Sequence, residues 1–269
     1  MLDNIKLGQY LQGDSWFYRL DPRIKIIGTF TFIVIIFLAK DWTYGIITLF
    51  SLIVILTSGI SLKFFYRSIR PIFFLMLFTF VLNLFFIKEG DVLVTIFDVV
   101  KIHEGALTRG AQIILRLILI VSFTSLLTFT TKPTDLTVGL ESVFSPLKII
   151  KFPAAELALM ISISLRFIPT LLEETQKIMK AQTSRGADFT DGKLKEKVLQ
   201  IVSLLVPMFI ISFKRAEDLA NAMEARGYIP GKERTRLNQL KLKLRDYLYL
   251  TSFLVVTALL VLYRLEFGW

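Results

Sequence analysis

AAELALMISISLRFIPTLLEETQKIMKAQTSRG (residues 154–186) and KVLQIVSLLVPMFIISFKRAEDLANAMEARG (residues 197–227) read as two long amphipathic helices, each closing on an Arg-Gly pair. In the first, Leu157, Ile161, Leu165, Ile168, Leu172 and Met179 form one stripe at helical spacing. Arg166, Thr170, Glu173, Lys177 and Lys180 fall on another. The second helix is about 30 residues long, roughly 45 Å if straight. Its first half, Val198 to Phe213, is very apolar, and its second half carries Lys214, Arg215, Glu217, Asp218 and Glu224. Pro169 and Pro207 lie inside the two helices, where each removes a backbone donor and is expected to kink its helix. The adjacent carboxylates Glu173 and Glu174 read as a solvated helix face.

The remainder of the chain is built for lipid. Of 269 residues, 54% are hydrophobic and 24 are Phe, with a mean hydropathy of +0.62. A soluble core of this size does not use so much apolar surface, so the surplus needs a bilayer. The net charge of +10 would suggest nucleic acid in a soluble protein. Here the basic residues sit beside apolar spans, and orientation and lipid headgroups account for them, with no nucleic-acid partner implied. Cysteine is absent and His103 is the single histidine, which excludes disulfides, thiolate metal sites and histidine clusters. No continuous apolar leader is visible in the polar first two dozen residues.

Taken in order, a polar start ends in Leu20-Asp21-Pro22-Arg23, where Asp21 is placed to cap a helix and Pro22 to begin it. Spans are expected at about 24–38, 42–60, 71–86, 105–131 and 248–263. Lys63, Arg67 and Arg70 are assigned to the loop before the third span, in which Asn83 is the only strongly polar interior residue. Residues 88–104 are alternately apolar and poor in net positive charge, and Arg116 lies inside the fourth span. An intramembrane arginine either marks function or pairs with a polar group on a packed neighbour. Thr108-Arg109-Gly110 repeats the Arg-Gly pattern at the wrong end of a helix. Thr134 to Leu147 reads as an interfacial helix stopped by Pro146.

The positive-inside rule gives one consistent topology: amino terminus cytoplasmic, 88–104 outside, and the last span leaving the cytoplasm after the basic run Lys232, Arg234, Arg236, Lys241, Lys243 and Arg245. Residues 157–172 and 198–213 are kept out of the bilayer. Both runs fall short of the ~20 apolar residues a span needs, and spanning would export the lysine-rich segment between them. The expected fold is therefore an all-α integral membrane protein of about five transmembrane helices plus three cytoplasmic amphipathic helices. Its parts are residues 1–132 with four spans, 133–230 with the amphipathic helices, and 231–269 with a basic linker and the last span.

An Arg-Gly helix end is ordinary by itself, since glycine suits the C′ position and a cation suits the final turn. Two on successive cytoplasmic helices form a more informative pattern, because each planar guanidinium is held ready for a carboxylate of another protein. At these residues the chain resembles the T-component, the transmembrane coupling subunit, of energy-coupling factor (ECF) transporters, which are ABC-type importers of vitamins and some metal ions. Leu20-Asp21-Pro22-Arg23 is similar to that family's amino-terminal signature. Lys132-Pro133-Thr134-Asp135-Leu136 resembles the start of its first coupling helix, and Leu165-Arg166-Phe167-Ile168-Pro169 a run inside its second. Ser184-Arg185-Gly186 and Ala225-Arg226-Gly227 resemble its paired Ala-Arg-Gly motifs, Ser184 replacing an alanine.

The resemblance implies a non-catalytic subunit of the plasma membrane whose two arginine-tipped ends dock on two ABC ATPase subunits. Coupling is implied to run through Arg166, Pro169 and Pro207. The apolar faces carrying Leu157, Ile161, Leu165, Ile168 and Leu172, and Val198, Ile201, Leu205 and Phe209, are implied to meet a small vitamin-binding S-component. Nucleotide and magnesium would sit on the ATPases, and the absence of a Gly-x4-Gly-Lys-Ser/Thr run in this chain agrees. The alternative, a self-contained secondary transporter or channel, predicts ionisable residues in several spans and two related halves; one intramembrane arginine and no internal repeat are seen.

Overall fold

The structure, a computed structural model, describes residues 10–40, 42–96, 100–187, 194–232 and 240–267, without the side chains of 93–96, 100–102, 194, 196 and 264–267. Arg234 and Arg236, which entered the topology reading, lie outside the described residues. The protein is a helical membrane protein. The elements are α1 (Pro22–Leu38), α2 (Thr43–Thr57), α3 (Leu62–Ile69), α4 (Phe73–Phe86), β1 (Val92–Ile96), β2 (Val100–His103), α5 (Glu104–Thr130), α6 (Pro133–Phe144), α7 (Ala154–Ser184), α8 (Leu194–Ala225) and α9 (Leu244–Phe267). The chain divides into two compact units, one of residues 9–143 with 240–269 and one of residues 1–8 with 144–239.

The first unit is held by aromatic packing among helices that are wet by lipid on their outer faces. Phe32 of α1 stacks on Phe123 of α5, with ring centroids 3.7 Å apart. Phe253 of α9 meets both edge-on, at 6.4 and 6.2 Å, and Phe50 of α2 at 5.2 Å. Such edge and offset pairs add to the area that four helices bury in one place. Gly28 lets α9 approach α1 closely: a Cβ there would stand 2.7 Å from the Tyr249 ring. Gly110 does the same for α4 under Phe80, so the Arg109-Gly110 pair is a packing device near the start of α5, where Arg109 pairs with Glu89. On the outer side Phe30, Val34 and Phe37 of α1 remain exposed, as a lipid-facing stripe should.

One end of this unit is a polar knot. Asp21 caps α1 by accepting from the Arg23 amide (2.9 Å), and its carboxylate takes a forked pair from Arg23 Nε (3.1 Å) and Nη2 (2.9 Å). Arg23 also donates to Leu240 O (3.0 Å) and Ser142 Oγ (3.4 Å). Asp246 accepts the Lys243 amide at the start of α9 (2.7 Å) and, with its other oxygen, the buried Asp21 amide (2.9 Å). The Lys25 ammonium, 1% exposed, donates to Thr130 O (3.0 Å), Tyr18 O (3.3 Å) and Thr131 Oγ1 (3.3 Å), so each of its three donors has an acceptor. The starts of α1 and α9 and the end of α5 therefore lie at one face. The Asp-Pro-Arg signature initiates a helix, as expected of Asp21 and Pro22, and also ties three distant segments together.

Arg116 reaches across to α2, donating to Tyr44 Oη from Nη2 (2.6 Å) and Nε (3.1 Å), with its guanidinium 5.1 Å from the Phe37 ring centroid. This is the pairing on a packed neighbour, and it places the start of α2 at the opposite end from the knot. Asn83 bonds its own helix, donating to Thr79 O at 2.7 Å.

Three expectations need correction. Lys63 to Arg70 is not a loop: α3 occupies it and passes through a single 3-10 turn, Arg70–Ile72, into α4. Its charges suggested a loop, but Phe65 anchors the segment, packing its ring 6.0 Å from that of Phe129. The alternating 88–104 segment holds a two-stranded antiparallel hairpin, pairing Val92 with His103 and Ile96 with Val100, with an irregularity between Val92 and Val94. Alternation has the period of a strand, and the hairpin is closed by Gly105 and Glu104 amides donating to Glu89 and Asp91. Pro146 does stop α6, but through a further 3-10 stretch, Ser145–Ile150, that ends on left-handed Lys151 (φ 60°).

Among the described residues, five helices are long and apolar enough to cross a membrane: 62–86, 104–130, 154–184, 197–225 and 244–263. Three match expected spans. The other two are α7 and α8, whereas α1 and α2, at 17 and 15 residues, are shorter than these five. Packing separates the two sets, for α1 buries a full face while the apolar run of α8 is unburied.

The knot predicts a graded response at its centre. Asp246→Ala leaves two backbone amides without acceptors, costing about 1–3 kcal/mol for each buried donor. Thermal unfolding of the detergent-solubilised protein should show a lower midpoint for Asp246→Ala than for Asp246→Asn, which keeps one acceptor. Equal midpoints for both variants and wild type would refute the assignment.

Candidate functional site

The second unit is dominated by α7 and α8. Their internal prolines do not end them. Pro207 has no amide to offer Ser203 O, and Gln182 of α7 donates to that freed carbonyl from Nε2 at a long 3.5 Å. Thr175 donates to Met208 Sδ (3.2 Å), and Arg215 Nη2 pairs with Glu174 Oε1 (3.1 Å), which also has Lys177 at 3.9 Å. Glu174 is thus a cross-helix ion-pair partner, a correction to its reading as a solvated face; Glu173 is exposed. Predicting that pair required the register of two helices, which no single-helix pattern contains.

These contacts fix direction. As the α7 residue rises from 174 through 175 to 182, its α8 partner falls from 215 through 208 to 203. The helices are antiparallel, so Arg185 and Arg226 stand at opposite ends, roughly 35–40 Å apart along the pair at ~1.5 Å per residue.

Each end has the same backbone. Gly186 and Gly227 have φ of 93° and 73°, the left-handed region glycine occupies at least cost. The Gly186 amide donates to Thr183 O (2.9 Å) and the Ala187 amide to Gln182 O (3.0 Å). The Gly227 amide donates to Glu224 O (2.9 Å) and the Tyr228 amide to Met223 O (3.0 Å). Both are Schellman closures, which pair the carbonyls a helix end leaves open. A Cβ on either glycine would meet nothing within 4 Å, so conformation alone asks for glycine there. Arg185 and Arg226 sit one residue before, both exposed. Among the described residues neither guanidinium has an ion-pair or hydrogen-bond partner. Ser184 Oγ donates to Lys180 O (3.1 Å), so the serine departs from alanine without disturbing the tip.

The apolar residues named for partner contact divide by helix. On α8, Val198, Ile201, Leu205 and Phe209 are all exposed, joined by Val202, Val206, Ile210 and Phe213. On α7, Leu157 and Ile161 are exposed, while Leu165, Ile168 and Leu172 are half-buried. Arg166 and Pro169 are exposed and Pro207 is half-buried. Asp21, Pro22 and Arg23 belong to the other unit, in the polar knot.

Two outcomes are expected here. Gly186→Ala and Gly227→Ala should each cost roughly 1–2 kcal/mol of left-handed strain, locally. Amide hydrogen exchange should speed up at residues 186–187 and 227–228 and nowhere else. For the helix crossing, Glu174→Gln and Arg215→Gln in a double-mutant cycle on thermal stability should couple by about 0.5–1 kcal/mol, since the pair is partly exposed. Exchanging the two residues should restore most of it; zero coupling refutes the contact as a stabilising one.

Comparison with known proteins gives the family. Residues 13–237 match the family described as CbiQ, cobalt transport protein. The energy-coupling factor transporter transmembrane protein EcfT of Listeria innocua is 48% identical over 261 residues, covering 97% of this chain and 98% of that protein. That of Bacillus subtilis is 46% identical over 265 residues, covering 98% and 100%, and that of Clostridium kluyveri 43% over the full length of both. At this identity and coverage, the chain belongs to the family of energy-coupling factor transporter transmembrane proteins, within the CbiQ family.

Proposed function

We propose that this chain is the coupling subunit of an energy-coupling factor importer in the plasma membrane, with its amino terminus in the cytoplasm. It receives ATP-driven motion from two ABC ATPase subunits at Arg185 and Arg226. It passes that motion along α7 and α8 to a small membrane S-component that binds the vitamin or other micronutrient. The chain itself is non-catalytic, and ATP and magnesium belong to the partner ATPases.

One observation carries the reading: two helix ends of identical geometry, each presenting an exposed guanidinium, at opposite ends of one antiparallel pair. A guanidinium held at a helix end offers a planar fork for an acceptor on another protein. Two equivalent ends suit two similar soluble partners better than a single substrate. The exposed α8 stripe from Val198 to Phe213 is an apolar patch of the kind that marks lipid or protein contact. Arg166, Pro169 and Pro207 lie between the ends and serve as the places where motion is transmitted. Arg116, the arginine well inside the fourth expected span, is engaged by Tyr44, which gives a self-contained ion path no support.

Arg185→Glu with Arg226→Glu should abolish co-purification of both ATPases while membrane insertion stays normal; full complex yield from the double variant refutes the docking role. The cysteine-free chain allows a second test. Cysteines placed at Ile201, Leu205 and Phe209 should crosslink to a small, very hydrophobic membrane protein in native membranes. Crosslinks to lipid alone would remove the S-component from that face.

A further inference from the structure

α3 carries a cationic face that neither the helix knot nor the α7–α8 pair uses. Its anchor is Phe65, 5% exposed, packed edge-on against Phe129 near the end of α5. At ~100° per residue, Lys63, Arg67 and Arg70 lie roughly 160°, 200° and 140° around the helix from that anchor. They form one narrow stripe facing away from the α5 contact that anchors α3. All three are exposed, and among the described residues none of their side chains has a carboxylate or hydrogen-bond partner.

Depth and surroundings identify the partner. Phe129 precedes Thr130, whose carbonyl accepts from Lys25, so α3 lies at the face from which α1 and α9 set out. The same helical rod then continues through Arg70–Ile72 into α4, where Phe73, Phe74 and Phe78 are exposed to lipid. From Arg70 to Phe86 the rod rises about 25 Å, close to the ~30 Å hydrocarbon thickness, which leaves the cations at headgroup level. Tyr66, 72% exposed, stands beside the stripe, as aromatic residues do at a membrane interface.

We infer that Lys63, Arg67 and Arg70 form a binding face for the phosphate of anionic phospholipids, in the leaflet where α1 and α9 begin. Arginine pairs with phosphate oxygens in a fork, lysine adds a point charge, and Leu62 and Tyr66 lie against the acyl and glycerol regions. The face sets the depth of α4. It is independent of the coupling role, which resides on other helices.

The test is native mass spectrometry of the full-length chain in mixed micelles, titrated with dioleoyl-phosphatidylglycerol or dioleoyl-phosphatidylcholine. Wild type should retain the anionic lipid preferentially, and K63Q/R67Q/R70Q should lose that preference. Each single substitution should lower it roughly fivefold, as expected for one cation near an anionic surface. L62K/K63L keeps the net charge but breaks the stripe, and should fall like K63Q. An unchanged preference in the triple variant or in the charge-conserving swap overturns the site, the latter leaving only general basicity. If the triple variant does not purify as one species, R67Q and R70Q decide the matter on their own. Loss of a co-purifying protein with lipid retention unchanged would give the face to a protein partner instead, and would also overturn the inference.

Discussion

A buried ammonium with no carboxylate at ion-pair distance among the described residues is what the membrane part is arranged around. Lys25 is solvated by carbonyl and hydroxyl oxygens, chief among them Thr130 O at the end of α5. A helix carboxyl end carries partial negative charge, so the cation and the helix terminus each satisfy what the other lacks. Burial makes this matter more than at an exposed helix end, because no solvent molecule is at hand for either group. Around that contact the Asp21 and Asp246 carboxylates join the starts of α1 and α9, elements 225 positions apart in sequence. Helix direction follows from it: two helices leave this face and one returns to it.

The α7–α8 pair is built on a different principle. Little of its apolar surface is buried, and it is held by a few polar contacts whose positions are dictated by chemistry. Pro207 strips Ser203 O of its donor, and Gln182 answers it from the other helix. Glu174 and Arg215 add a partly exposed ion pair that favours one register over its neighbours. Such a pair of helices keeps wide apolar stripes free for lipid or for another membrane protein.

Much of this was readable from the chain. The two tips were legible because their signal is local: an amphipathic run, then a cation, then glycine. Asp21-Pro22 was legible as a helix start for the same reason. What needed coordinates is whatever depends on register between distant segments, such as Asp246 accepting the Asp21 amide, or Glu174 finding Arg215. α3 was hidden by its own composition, since two cations in its eight residues and a third directly after it resemble a loop until Phe65 is seen to anchor them. The hairpin at 92–103 showed its period-two pattern plainly, but charge and position drew attention to the side of the membrane rather than to the backbone.

The opposed ends of α7 and α8 carry a mechanical consequence. Forces applied at Arg185 and Arg226 act at opposite ends of a pair whose polar contacts run from Glu174–Arg215 to Gln182–Ser203. Equal pushes at both ends tend to translate or bow the pair, whereas unequal or opposite pushes produce torque about its middle. A complex that engages both tips can therefore select between displacement and rotation through the balance of its two loads, with no change in either contact.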